Sequence, residues 1–255
     1  MGETVRVPLL RPSLHTASRD GVDLLIDPAA PGAGVLVAFS DRRGGVSDSP
    51  YDTLNLALGV GDAAPAVRDN RARVARAAGF SVAALAAARQ AHGAEVMEVR
   101  RGESGIVGAA DALVARAAGP VLTILSADCA PIVAAGPRAV GVFHAGWRGL
   151  VAGVVERGVE AVGEVAAAWV GPCIHACCYE VGGEVVEAFR ARGLPVADES
   201  HVDCGRAAVF ALHRAGVERV AASSDCTSCD KRYFSHRRDG RTGRQGAFVT
   251  RLTGG

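Results

Sequence analysis

The chain has 255 residues, 49% of them apolar, with 28 basic against 27 acidic side chains, so it has material for a large core and almost no net charge. That balance gives no generic attraction to nucleic acid or to a membrane surface, and a small, specific ligand is the expected partner. No apolar run approaches bilayer-spanning length, and Arg6 and Arg11 sit in a polar N-terminus without the apolar stretch of a secretory signal, so a cytoplasmic location is expected. Seven cysteines in a chain this long fit a reducing compartment, where a functional cysteine is a ligand or nucleophile rather than half of a bridge.

No repeat or low-complexity linker divides the chain. Val35 to Phe39 predicts a strand running into the turn-rich DRRGGVSDSP. Val67 to Ala78 predicts an amphipathic helix ended by Gly79, and Ser81 predicts the cap of a second, short helix through Ala88. Strands are expected at Val96 to Val99, Ala112 to Val114 and Val121 to Leu125. Ile132 to Ala135 and Ala139 to Phe143 flank Gly136-Pro137-Arg138 and predict a β-hairpin. The apolar spacing from Leu150 to Val162 predicts one amphipathic helix. A strand at Ala167 to Val170, helices at Gly183 to Arg192 and Cys204 to Ala215, and a strand at Val217 to Ala221 complete the expected elements. Alternating types with a hairpin predict an α/β fold with a mixed sheet.

A hairpin turn centred on Gly136 and Pro137 places Cys129 opposite His144. Directly opposed side chains on one face have Cβ atoms roughly 4.5–5.5 Å apart, close enough for a thiolate and an imidazole to share a metal or a proton. A slip of one residue would separate them. Three readings follow: two satisfied core residues, a Cys/His nucleophile pair, or part of a zinc site. A zinc site needs a third protein ligand, and His92 in RQAHG occupies a loop able to reach a sheet end.

FSDRRGG with YDTLNL, QAHG, SADCAPI, FHAGWRG, GPCIHACCYEVG and YFSHRRDGRTGRQG stand in one order along the chain. Together they resemble the YfiH-like family, long labelled multicopper polyphenol oxidoreductases or laccase-domain proteins and later recognised as zinc-dependent purine nucleoside phosphorylases. The resemblance implies one domain over 35–255, with 1–34 a strand or loop segment of the same domain, and a single-domain mixed β-sheet sandwich flanked by helices. It implies a zinc ion held by His92, Cys129 and His144, with a fourth position open to water or substrate. The implied partners are purine nucleosides and inorganic phosphate. The implied activity is phosphorolysis of adenosine, inosine, guanosine and methylthioadenosine to base and ribose 1-phosphate, with deamination of adenosine to inosine. A laccase reading fits poorly, because seven histidines scattered along the chain are too few for a multicopper oxidase.

Deamination needs a proton shuttle beside the metal, and Asp128 and Asp111 are the candidates, each equally readable as a turn or cap carboxylate. Phosphorolysis needs an anion site, which Arg42 with Gly44 and Gly45 can supply; by resemblance Arg42 lines the family's active site. Ser40 and Asp41 stand where the family often has threonines. Arg148 is the next candidate for phosphate, Asn55 for base or ribose, and Trp147 for an apolar wall. Arg237, Arg238, Arg241 and Arg244 read first as a solvated face. Cys226-Thr-Ser-Cys229 alone is a weak metal signal, and Cys173, Cys177 and Cys178 are expected as small buried thiols.

Two further functions compete. Cys129 as nucleophile and His144 as base would make an amide hydrolase editing peptidoglycan precursors. A non-catalytic zinc- and nucleoside-binding protein would bind purine without turnover. Metal dependence separates the hydrolase, since a thiolate committed to zinc is a poor acyl nucleophile.

Overall fold

The computed structural model describes residues 11–253; Arg6 lies outside them. In chain order the strands are β1 (His15–Arg19), β2 (Val22–Ile26), β3 (Val35–Ser40), β4 (Leu85–Arg89), β5 (Val96–Glu98), β6 (Gly105–Ala109), β7 (Ala112–Ala115), β8 (Val121–Ser126), β9 (Ala130–Ala135), β10 (Val140–Ala145), β11 (Ala167–Val170), β12 (Val220–Ala222) and β13 (Gln245–Arg251). The α-helices are α1 (Ala64–Ala78), α2 (Trp147–Ala152), α3 (Val154–Val162), α4 (Gly183–Ala191), α5 (Cys204–Arg214) and the single turn α6 (His236–Asp239).

The strands form two mixed sheets, ordered β1-β2-β3-β13-β8-β4-β6 and β12-β11-β9-β10-β7-β5. Period-two alternation decides which side chains meet between them. Leu122 and Ile124 of β8 pack with Val133 of β9, Val140 and Val142 of β10 and Trp169 of β11 in the core between the sheets. The intervening residues Ile132, Ala134 and Phe143 face the other way, against α3, α4 and α5. Helix α1 covers the outer side of the first sheet through Val74, Ala77 and Ala78, which pack with Leu24, Ala38 and Phe248. The result is a sandwich of two mixed sheets with helices on both outer faces. Each fully buried Val or Leu contributes about 1.5–3 kcal/mol, so the sheets are held mainly by this alternation. Buried Asp27 crosses the sandwich, accepting the Trp169 indole N–H at 2.9 Å and so tying the loop after β2 to β11.

Four expectations need correction. Ser81 caps no α-helix: Val82–Ala84 is a short 3-10 turn and Leu85–Arg89 is a strand. Alanine has the highest intrinsic helix propensity, but here the alanines fill a central strand paired parallel to β8 and β6, and tertiary placement overrides that preference. The helix expected from Leu150 to Val162 is two helices, because Gly153 adopts φ 87° and ends α2 in the left-handed region. The strand expected at Val217 begins only at Val220. In the predicted hairpin the turn takes four residues, closed by the Gly136 N–H on the Ala139 carbonyl at 2.9 Å, so Val140 pairs with Ala135 and His144 with Pro131 rather than Cys129. The register is displaced by two residues, which preserves the face on which each side chain lies.

Candidate functional site

His144 is the penultimate residue of β10, with its side chain on the same side as Val140 and Val142, toward the space between the sheets. Across from it, immediately before β7, is Asp111, whose carbonyl accepts the His144 N–H at 2.7 Å. The carboxylate of Asp111, 1% exposed, meets His144 Nδ1 at 2.8 Å and also accepts the backbone N–H groups of Ala91, His92 and Gly93. One buried carboxylate thereby sets the His144 ring and the loop carrying His92. Loss of solvent opposes its charge, but these hydrogen bonds outweigh burial and hold Asp111 below the usual carboxylate range.

Cys129 follows β8 in the short connection to β9. Asp128 before it has φ 105° and His92 has φ 58°, backbone conformations that side-chain-bearing residues rarely adopt. Both are held by surrounding hydrogen bonds: Asp128 accepts the Thr227 hydroxyl at 2.7 Å and the Arg237 N–H at 2.8 Å. Strain of this kind persists where the rest of the structure fixes it, and here it turns Cys129 and His92 toward His144. One ligating atom from each of His92, Cys129 and His144 lies within 4.8 Å of the others, and the two imidazoles meet edge to face at 4.8 Å. A Cβ on Gly146 would stand 2.9 Å from the Cys129 sulfur, so the approach of the helix α2 entrance requires glycine there.

Burial works against a thiolate at Cys129, but the charge and hydrogen bonds of His144 and His92 overcome it and bring the thiol down to about 6. Burial likewise opposes a charged His144, yet Cys129 and Asp111 raise it to about 9. Two nitrogens and a sulfur at this spacing form a donor set suited to zinc. With Nδ1 engaged by Asp111, His144 presents Nε2, the pattern in which a carboxylate orients a metal-binding imidazole.

The three residues line a cavity of about 950 Å³. Leu56, Val74, Leu85 and Phe248 give it apolar walls, and Arg71, Arg89, Arg148, Arg237 and Arg244 also line it. Arg71 donates Nε to the Leu56 carbonyl at 2.9 Å, and Arg244 donates Nη1 to the carbonyls of Thr242 and Gly243. Burial lowers both guanidinium pKa values from their ordinary level.

Among the residues singled out by sequence, Asp128, Arg148 and Trp147 line this cavity together with the three-residue cluster. Asp111 stands behind His144, both oxygens already engaged. Arg42 is elsewhere, bonded through Nε and Nη2 to Asp52 and stacked 4.7 Å from the Phe234 ring centroid. Asn55 is fully buried and accepts the Arg244 N–H at 2.9 Å, so it supports the cavity wall from behind. Neither Arg42 nor Asn55 is among the residues lining this cavity. Arg244 is partly buried and lines the cavity, Arg237 lines it from an exposed position, and Arg238 staples the carbonyls of Thr227, Ser228 and Tyr233. Arg71 was legible in principle: it lies four residues after buried Val67 and three before buried Val74, hence on the buried face of α1. Gln90 of QAHG also lines the cavity, and its amide makes a pair of hydrogen bonds with the Leu125 backbone.

The chain matches the family model described as "Multi-copper polyphenol oxidoreductase laccase" over residues 36–252. It is 39% identical over 230 residues to a protein of Escherichia coli K12 named purine nucleoside phosphorylase YfiH, covering 85% of this chain and 93% of that one. A protein of Deinococcus radiodurans named purine nucleoside phosphorylase is 38% identical over 234 residues, covering 86% and 90%. The crystal structure of YlmD from Geobacillus stearothermophilus superposes with a TM-score of 0.86 at 32% identity, covering 94% of this chain and 99% of the other. Among the described residues no helix is long and apolar enough to cross a membrane.

Proposed function

This chain belongs to the multi-copper polyphenol oxidoreductase laccase family, and from that membership and the site's geometry we propose that it is a zinc-dependent purine nucleoside phosphorylase with adenosine deaminase activity. The observation that carries the reading is a cluster of three metal-suited side chains facing a cavity that is apolar on one side and arginine-lined on another. Relatives in two bacteria named purine nucleoside phosphorylase support its phosphorolytic part. Multicopper oxidation needs several histidine-rich copper centres, and one histidine-containing cluster is assembled among the described residues.

In this reading His92, Cys129 and His144 would hold the ion, and zinc bound there would supply a Lewis acid beside the cavity. Asp111 is a positioning residue that fixes the His144 tautomer and the His92 loop. Arg71 and Arg244, oriented by their carbonyl bonds, hold phosphate through charge-assisted hydrogen bonds, with Arg148 and Arg237 adding positive charge. Leu56, Val74 and Phe248 seat the purine. In phosphorolysis a phosphate oxygen bonds to C1′ of the ribose, the C1′–N9 bond breaks, and the base leaves with the electron pair and gains a proton. In deamination water adds at C6 and ammonia departs. Asp128, which lines the cavity beside Cys129, carries the proton in either reaction. Adenosine, inosine, guanosine and methylthioadenosine share the purine and ribose that these walls accept.

The test is incubation of zinc-loaded protein with adenosine, with and without phosphate, and chromatographic resolution of adenine, inosine and hypoxanthine. Adenine that requires phosphate and inosine that forms without it are the expected products. Zinc-loaded protein that yields no purine product overturns the reading and returns the amide hydrolase to first place.

A further inference from the structure

Cys177, Cys178, Cys226 and Cys229 come from two segments about fifty residues apart and meet away from the cavity just described. Their four sulfurs lie within 4.8 Å of one another. Cys177 and Cys178 approach Cys229 to 3.5 and 3.2 Å, well beyond the roughly 2.05 Å of a disulfide bond. Four sulfurs around one zinc stand about 3.8 Å apart when each Zn–S bond is about 2.3 Å, so the observed spacing surrounds a tetrahedral centre.

Burial does not explain the group. Cys173 and Cys204 are the small buried thiols expected in a core, but Cys177 and Cys229 are exposed and Cys178 is half-buried. Exposed thiols gain nothing from packing, and here they converge on each other. The backbone is arranged for thiolate as well. Cys226 and Cys229 form a Cys-x-x-Cys turn in which the Cys226 sulfur accepts the backbone N–H of His175 from across the gap at 3.5 Å. Hydrogen bonds of this kind tune and hold metal thiolates. Arg238 lies over the same turn, donating Nη1 to the carbonyls of Thr227 and Ser228 while its Nε and Nη2 pair with the Asp239 carboxylate, which holds the turn in shape.

We propose that Cys177, Cys178, Cys226 and Cys229 form a second, structural zinc site, closed by four protein ligands and distinct from the open His92, Cys129 and His144 cluster. Each coordinating thiol gives its proton to solvent, and no oxidant or reductant is involved. The site clamps the segment after β11 to the segment after β12. Hydrogen bonds already dock the two: the Thr227 N–H reaches the Cys173 carbonyl at 2.9 Å, and the Arg237 side chain donates Nη1 to the Glu180 carbonyl. The same two segments supply Tyr179, His236 and Arg237 to the cavity, and Thr227 and Arg237 hold Asp128 beside Cys129. The second ion thus fixes one wall of the cavity without touching its contents.

Metal analysis of the full chain, prepared reduced and loaded with Zn²⁺, decides the matter. The wild type is expected to hold two zinc ions, and Cys129→Ala and the double variant Cys178→Ser with Cys229→Ser one each. Cobalt-loaded Cys129→Ala is expected to show the sulfur-to-metal charge-transfer absorption of an all-thiolate tetrahedral site, a readout independent of activity. Cys129→Ala that retains no zinc, or that lacks this absorption with cobalt, overturns the proposal even if the double variant fails to fold. A folded double variant that still holds two ions overturns it equally. Failure of the nucleoside assay alone leaves these metal counts standing, so the two readings fall separately.

Discussion

The two clusters of metal-suited side chains are built on opposite plans. His92, Cys129 and His144 sit at the sheet ends, mix nitrogen with sulfur and face a cavity of about 950 Å³. The cysteines at 177, 178, 226 and 229 are all sulfur, stand in loops and line no part of that cavity. Three ligands with an open side suit chemistry, whereas four ligands leave an ion nothing to bind except protein. The supports differ accordingly: a buried carboxylate, Asp111, orients the first cluster, and the His175 N–H with the half-buried Arg238 braces the loop of the second.

The largest effect that can break this contrast is at Cys129. Cys129→Ala removes the one sulfur of the open site, and loss of Lewis-acid stabilisation worth several kcal/mol is expected to reduce both phosphorolysis and deamination by about a thousandfold or more. Purine products resolved by chromatography measure this. Retained phosphorolysis would mean that the cluster does not serve the reaction.

Asp111→Asn comes next. It leaves all three donors in place but replaces a charged acceptor behind His144 and weakens its grip on the His92 loop. Metal affinity at this site is expected to fall about 10- to 100-fold, with the second ion unaffected. Competition with a chelator, read as two phases of zinc release, checks it. If both phases shift together, the clusters are coupled rather than independent.

Much of the open site was legible because it rests on short-range order. Apolar runs either side of Gly136-Pro137-Arg138 predict the hairpin, and a two-residue displacement in register keeps His144 on its expected face while Cys129 falls just outside the ladder. The third partner was not accessible by spacing, since His92 is carried there by Asp111 across β7; the family resemblance named it. Strand β13 escaped notice although it is central, because its apolar residues Ala247, Phe248 and Val249 directly follow the glycine- and arginine-rich loop and run into the polar Thr250 and Arg251. The β1–β2 hairpin had a local signal in Asp20-Gly21, both at positive φ, as a two-residue hairpin turn demands. The four-cysteine cluster was hidden because its halves lie about fifty residues apart, and neither half is distinctive alone.

Arg71 and Arg244 sharpen the comparison further, since both line the cavity of the open site. Arg71→Ala or Arg244→Ala removes charged hydrogen-bond donors worth about 1.5–3 kcal/mol each, so the KM for phosphate is expected to rise roughly 10- to 100-fold. Deamination, which uses no phosphate, is expected to change only a few-fold. An equal loss in both reactions would assign these arginines to the nucleoside or to the fold.

The smallest effect is expected at the closed site. Cys229→Ser takes one ligand from an exposed position, and the two loops keep their backbone bonds, among them Thr227 N–H to the Cys173 carbonyl and Tyr233 N–H to the Asp230 carbonyl. Global stability is therefore expected to fall modestly, with Tm lowered by about 2–4 °C for each kcal/mol lost in a chain of this size. Activity is expected to drop only a few-fold, through a looser Arg237 and Asp128, and to show mainly as a raised KM. Thermal scans with and without chelator give the discriminating readout. Chelation should lower the Tm of the wild type more than that of Cys229→Ser, because the variant has already lost the ion that clamps the loops. Identical chelator responses would show that the second cluster contributes no metal-dependent stability, and the division between an open catalytic centre and a closed structural one would fail at its structural end.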